Sequence, residues 1–219
     1  MYPVYLFDNK EEDNIGINVK EFNDKFLEIC QENRDSNRAR AFAFILTDFH
    51  STEANHFIMN KEFWIELHTL SDHFLTVFHL DFTSTELHKL FRENKTEYVK
   101  SQYNSIFQSL SEVFKADGVY KNKMPSILFF QTDEAKIIDF FFVELNAHDL
   151  QQNMKNLKDY IKSAVESVKE VTDENLNNSK EIFQLLKSSV NGTKRKNNCK
   201  YIIKKIIQLY RLIKNFELK

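Results

Sequence analysis

Two histidines, two hydroxyls and an amide fall together in His50-Ser51-Thr52-Glu53-Ala54-Asn55-His56, with Asp48 just upstream. Imidazole titrates near neutrality, so His50 and His56 can serve as acid, base or ligand. Together with Asp48 they are the residue types of a small acid–base site. The same run has a structural reading, in which Ser51 or Thr52 caps a following helix and the histidines are surface groups. His68, His73, His79, His88 and His148 are spread over different segments, and no pair has the ligand spacing of a zinc site. His79 alternates with apolar residues, which places it on the outward side of a strand. Glu53, Glu62, Glu66 and Asp81 stand near the same region, but nothing in their spacing sets two carboxylates at a catalytic separation. With Gly 3 in the whole chain there is little room for a phosphate-cradling loop. No metal and no cofactor are expected.

The elements that must position this loop are read from apolar periodicity. Tyr2 to Phe7 is a strand and Asp8 to Asn18 a loop. Val19 to Asn33 is an amphipathic helix, and Ala39 to Phe49 is a strand apolar on both faces. Phe57, Phe63, Trp64, Leu67 and Leu70 form a helical stripe that Asn60-Lys61 interrupts. His73 to Phe82 is a strand. Helical spacing then runs from Ser84 to Asp117, long enough for two helices, and Gly118 ends it in left-handed geometry. Met124 to Phe130 is a strand led by Pro125, since proline is tolerated at the first residue of a strand. Gln131 to Ala135 is a hairpin turn, Lys136 to Leu145 the returning strand, and Asp149 to Val171 a helix.

Charged residues make up 28% and hydrophobic residues 42%, the balance of a soluble globular chain. No stretch is apolar and long enough to cross a bilayer. The segment after Met1 has no basic and apolar leader, and Cys30 and Cys199 fit no paired-thiol spacing, so a reducing cytoplasmic setting is expected. The wealth of Asn, Lys, Ile and Phe suggests an AT-rich coding sequence and a bacterial multi-protein system, such as one in defence. Net charge is −2, unevenly placed. Residues 194–219 hold nine Lys or Arg against one Glu, while the other 21 basic and 31 acidic residues leave the rest at −10.

The order β-α-β-α-β-α-β-β-α, with its residues, resembles the thioredoxin-like fold. Leu46-Thr47-Asp48-Phe49-His50 is similar to the strand that ends before that family's redox motif. Leu75-Thr76-Val77-Phe78-His79-Leu80 is similar to the next core strand. Val119 through Phe130 is similar to the segment with its cis-proline at Met124–Pro125. The resemblance spans residues 2–171 and implies a three-layer α/β/α domain, 1–171, with a central mixed sheet and an enlarged helical insertion at 84–117. It also implies that the 50–56 loop faces Met124 and Pro125, where relatives grip extended peptides. His50, Ser51, Thr52, Asn55, His56, Met124 and Pro125 are therefore the candidate binding residues. The family's two cysteines would fall at Ala54 and Phe57. Neither is a thiol and no Cys-x-x-Cys occurs, so the family's dithiol exchange is not carried over.

Residues 172–219 form a helical extension. Asp173 to Val190 reads as one helix, Asn191-Gly192-Thr193 as a break, and Lys194 to Asn198 as a basic connector. Ile202, Ile206, Leu209, Ile213 and Phe216 then recur at steps of four and three on a last helix over 199–217. Lys194, Arg195, Lys196, Lys200, Lys204, Lys205, Arg211 and Lys214 make a basic patch. The stripe can pack on its own domain, dock on a protein partner or second copy, or serve an anionic membrane or nucleic acid. The expected function is a non-catalytic protein-binding or adaptor subunit. The alternatives are an enzyme with its site at the 50–56 loop beside Pro125, and a nucleic-acid or membrane module working through the basic tail.

Overall fold

The computed structural model describes residues 1–5, 17–18, 21–47, 60–71, 73–81, 96–115, 125–134, 136–145, 150–171 and 178–217. At 5, 17, 18, 61, 81, 96, 99 and 201–217 it describes the backbone alone. Six strands form one sheet: β1 (Tyr2–Tyr5), β2 (Ile17–Asn18), β3 (Ala41–Leu46), β4 (Leu75–Asp81), β5 (Ser126–Asp133) and β6 (Lys136–Glu144). The helices are α1 (Phe22–Asp35), α2 (Lys61–Ser71), α3 (Thr96–Phe114), α4 (Leu150–Lys169) and α5 (Ser179–Glu217). The strand order is β2-β1-β4-β3-β5-β6. β1, β2, β3 and β4 run parallel to their neighbours in that group, whereas β5 is antiparallel to both β3 and β6.

Every residue of β3 is buried, as its unbroken apolar run requires of a central strand covered on both faces. Strand register places Phe42 and Phe44 on the same face as Phe78, Leu128 and Phe130. α1 covers that face through Phe22 and Phe26, and α3 through Phe114. α2, α4 and α5 cover the other, where Phe183 of α5 meets Phe141 at 5.6 Å and Trp64 of α2 stacks on His79 at 4.5 Å. His79 is therefore half-buried under a helix and does not point outward. The architecture is a three-layer α/β/α sandwich with a mixed sheet.

Several boundaries differ from the sequence reading. Ile17 and Asn18 pair with Val4 and Tyr5 instead of lying in a loop. Asn60 starts α2 and does not interrupt it, because its Oδ1 accepts the Phe63 N–H at 3.0 Å. Asn60→Ala should cost about 1 kcal/mol in urea unfolding, the usual effect of losing such a cap. α3 ends at Phe114 with Lys115 at φ 49, so the left-handed residue is Lys115; Gly118 and residues 82–95 lie outside the described residues.

Gln131 and Thr132 belong to β5 and not to the turn. The Gln131 amide donates to the carbonyl of Arg40 at 2.8 Å, so a polar side chain is accommodated inside the sheet. The reversal itself takes two residues, with Glu134 at φ 44. β6 forms one edge of the sheet, and a bulge opposite Gln131–Thr132 disturbs it. The Asp139 carboxylate accepts the Phe140 N–H at 2.8 Å and so engages a donor of that edge, which blunts it against strand addition.

The largest correction concerns the C-terminal region. Asn191-Gly192-Thr193 does not break the chain, and Lys194 to Asn198 is not a connector: α5 is one helix of 39 residues. Gly192 is exposed and a methyl group there would meet nothing, so it costs about 1 kcal/mol relative to Ala without a steric need for a break. Contacts on both sides of it hold the helix. The start is not Asp173 but a reciprocal cap, in which Asn178 Oδ1 accepts the Glu181 N–H at 3.2 Å and Asn178 Nδ2 donates to Glu181 Oε2 at 2.9 Å. Ile182, Phe183, Leu186 and Val190 are buried in the main core, so the first half of α5 is an integral layer of the sandwich.

Candidate functional site

The end of the sheet from which the 50–56 loop departs is built by three strands. β3 ends at Leu46, with Thr47 just beyond it, and Leu46 lies in register with Ser126 at the start of β5. Pro125 precedes it, with its carbonyl accepting the Leu145 N–H at 2.8 Å as β6 leaves the sheet. Tyr103 reaches over from α3, and its hydroxyl donates to the Thr47 carbonyl. The proline therefore sits where a missing N–H does no harm, and its carbonyl ties the two strand ends together. Ser126 is fully buried, and its hydroxyl has no hydrogen-bond partner among the described residues.

Of the predicted binding residues, only Pro125 is among those described. Asp48, His50, Ser51, Thr52, Asn55, His56 and Met124 lie outside the described residues, as does the Met124–Pro125 peptide bond. Thr47, Tyr103 and Ser126 are hydroxyl groups, suited to donating and accepting hydrogen bonds. All three are buried, so they hold the strand ends together and present no polar surface of their own. Among the described residues no group of three His, Cys, Asp or Glu side chains is placed to hold a metal ion.

The two thiols stand apart from this edge. Cys30 lies in the core on α1, where burial raises its pKa well above the ordinary thiol range. Cys199 is exposed on α5. A thiolate is the reactive form, so the two should differ in reactivity. Titration with an aromatic disulfide reagent at pH 8 should modify one thiol per native chain, and the second only after denaturation.

On α5, Arg195, Lys196 and Lys200 are exposed and Lys194 is half-buried. Lys204, Lys205, Arg211 and Lys214 follow on the same helix, as do Ile202, Ile206, Leu209, Ile213 and Phe216, over the part described as backbone alone. The sequence reading missed a polar seam between α4 and α5. Ser163 bonds Ser189 at 2.7 Å and Thr193 at 3.0 Å. Asn197 donates to Asn156 at 3.2 Å and to Asp159 at 3.3 Å. Burial pushes the Tyr160 phenol up, opposed by its hydrogen bond with Asn197. The signal available was the recurrence of Ser189, Thr193 and Asn197 every four residues, one face of a helix that the supposed break concealed.

Comparison with family models, curated proteins and solved structures finds no match for this chain. Function must therefore be argued from the geometry. No helix among the described residues is long and apolar enough to cross a membrane.

Proposed function

We propose that this chain is a protein-binding subunit on a thioredoxin-like scaffold that does not perform dithiol exchange. The observation that carries it is the placement of the thiols. Ala54 and Phe57 occupy the positions the family gives to its cysteines, while Cys30 is buried in α1 and Cys199 lies on α5. Exchange needs an attacking thiolate with a resolving thiol beside it, and these two thiols lie on separate helices, one of them in the core.

The scaffold reading draws on strand order. Without the two-residue β2 the sheet runs β1-β4-β3-β5-β6, with three parallel strands followed by an antiparallel hairpin led by Pro125. α1 and α3 lie on one face and α2 and α4 on the other, consistent with the helices on both faces that the resemblance implies. The binding reading draws on the partly exposed Pro125 at the strand ends and on the unusually long α5. An insulin-reduction assay on the purified protein should give background turnover. Clear turnover that disappears in Cys199→Ser would overturn the reading.

A further inference from the structure

We propose that α5 binds the phosphate backbone of duplex DNA through the basic run that begins at Lys194. This goes beyond the protein-binding reading and does not depend on it.

The run is basic without compensation. Residues 182–216 of α5 hold nine Lys or Arg and no Asp or Glu. Lys187, in the first half, lies 4.0 Å from the Asp139 carboxylate and over the ring of Phe141. Among the described residues, Lys194, Arg195, Lys196 and Lys200 have no ion pair and no side-chain hydrogen bond. Arg195, Lys196 and Lys200 are exposed. Across the seam, Asp159 of α4 accepts from Asn197 at 3.3 Å, so that acid is already engaged. Lys204, Lys205, Arg211 and Lys214 continue the charge along the same helix. From Lys194 to Lys214 the charge extends over roughly 30 Å at 1.5 Å per residue. Residues 1–193 carry −10, so a polyanion is repelled from the sandwich and drawn to the helix.

An acidic protein, an anionic membrane and a nucleic acid all attract such a helix, and the exposed side chains separate them. A protein interface is built round a desolvated apolar or aromatic anchor and is depleted of Lys. A membrane-surface helix sinks an apolar face among the lipids. Over 188–200 the exposed residues are Ser188, Asn191, Gly192, Asn198, Cys199 and the three cations. Leu185, the one exposed large apolar residue on α5 among those described, lies ten positions before Arg195. Nothing exposed in 188–200 can anchor a protein or enter a bilayer. Nucleic-acid binding needs no such anchor, because its affinity comes from neutralising phosphates and releasing their counterions.

The same stretch selects among nucleic acids. Single strands are held by bases stacked on aromatic rings, and 188–200 has no aromatic residue. At 100° per residue, Arg195, Lys196 and Lys200 span roughly 140° of the helix circumference. A flat surface meets one side of a helix. The major groove of B-DNA, about 12 Å wide, receives a helix between two walls that both carry phosphates. The helix need only lie in the mouth of the groove for both walls to be within reach. The major groove of A-form RNA is too narrow for this.

The test uses the full chain and a labelled random-sequence DNA duplex of about 20 base pairs, read by fluorescence anisotropy. Four neutralised phosphates give a log–log salt slope of about −3.6, a loss of about 100-fold between roughly 50 and 200 mM salt. The triple variant Arg195→Gln, Lys196→Gln, Lys200→Gln should flatten that slope by about 2.7 and weaken binding at least ~10-fold at the lower salt. It should keep the parent melting temperature, because these side chains are exposed and Gln matches Lys and Arg in helix propensity. Lys25→Gln, which removes a cation from α1, should leave DNA binding as it was. No duplex binding at the lower salt overturns the proposal, as does a triple variant that binds like the parent. Single-stranded DNA or duplex RNA of the same sequence bound as tightly as the DNA duplex overturns it too. Capture by phosphatidylserine vesicles without duplex binding assigns the helix to a membrane surface instead. Polyglutamate competing as well as unlabelled duplex assigns it to an acidic protein.

Discussion

Phe26→Ala should cost about 3–5 kcal/mol, a large share of the 5–15 kcal/mol that holds a typical domain together. Phe26 is fully buried, and its ring is the point where five elements meet. It stacks on Phe22 at 4.8 Å, and lies 4.9 Å from Phe78 of β4 and 5.5 Å from Phe130 of β5. Phe44 of β3 and Phe114 of α3 complete the cluster, each at 6.3 Å. Truncation removes the transfer energy of the ring and leaves a cavity that the sheet cannot close, because β3, β4 and β5 are locked by their ladders. For a chain of this size each kcal/mol moves the melting temperature by about 2–4 °C, so a fall of roughly 6–20 °C is expected. Phe26→Leu should lose much less, since most of the volume is kept. Ile65→Ala is the control, because Ile65 is 66% exposed and should change little. Equilibrium unfolding in urea reads all three. A loss below about 1 kcal/mol for Phe26→Ala would mean that α1 does not pack on this face as described.

The elements that came through legibly are those whose burial is written in their side chains. β3, β5 and the stripe of α4 are apolar with the right period, and nothing else competes for them. Two of the misreadings share one cause: residues that look like punctuation locally are satisfied by distant partners. Gln131 and Thr132 read as a turn, but the Gln131 amide finds the carbonyl of Arg40 across 91 positions of sequence. Asn191-Gly192-Thr193 reads as a break, but Thr193 bonds Ser163 and Asn197 bonds Asn156, so tertiary contacts outweigh the weak helix propensity of the triplet. Asn60 was read in the wrong sense, as an interruption where it is a start. The candidate binding edge was legible through Pro125, whose missing N–H narrows where it can stand in a sheet. Thr47, Tyr103 and Ser126 were not, because hydroxyl residues carry no periodic signal and Tyr103 arrives from a separate helix.

Arg34→Ala should cost about 2–4 kcal/mol and should loosen α5 before the rest of the fold. Arg34 lies in the last turn of α1. Its guanidinium donates to the carbonyl of Thr132 on β5 and to the hydroxyl of Ser179 at the start of α5. It also pairs with Asp133 at 3.2 Å. One side chain thus fastens α1, the end of β5 and the first turn of α5. The Asp133 pair contributes little, because that carboxylate is 56% exposed and water screens it. The weight rests on the other two bonds. Thr132 is fully buried, so its carbonyl would lose a charged donor with little access to water in exchange. Arg34→Lys should recover only part of the loss, since a single ammonium cannot hold these acceptors in the fixed fork of a guanidinium. A double-mutant cycle with Ser179→Ala should give a coupling of about 1 kcal/mol, separating the bond to α5 from the bond to β5. Amide hydrogen exchange supplies the local readout. Ile182 and Phe183, one turn inside α5, should exchange faster in Arg34→Ala, while Ile45 in the central strand should slow or quicken only with global stability. A variant within about 0.5 kcal/mol of the parent, with Phe183 protected as before, would show that α5 is held at its start by the capping pair of Asn178 and Glu181 without help from Arg34.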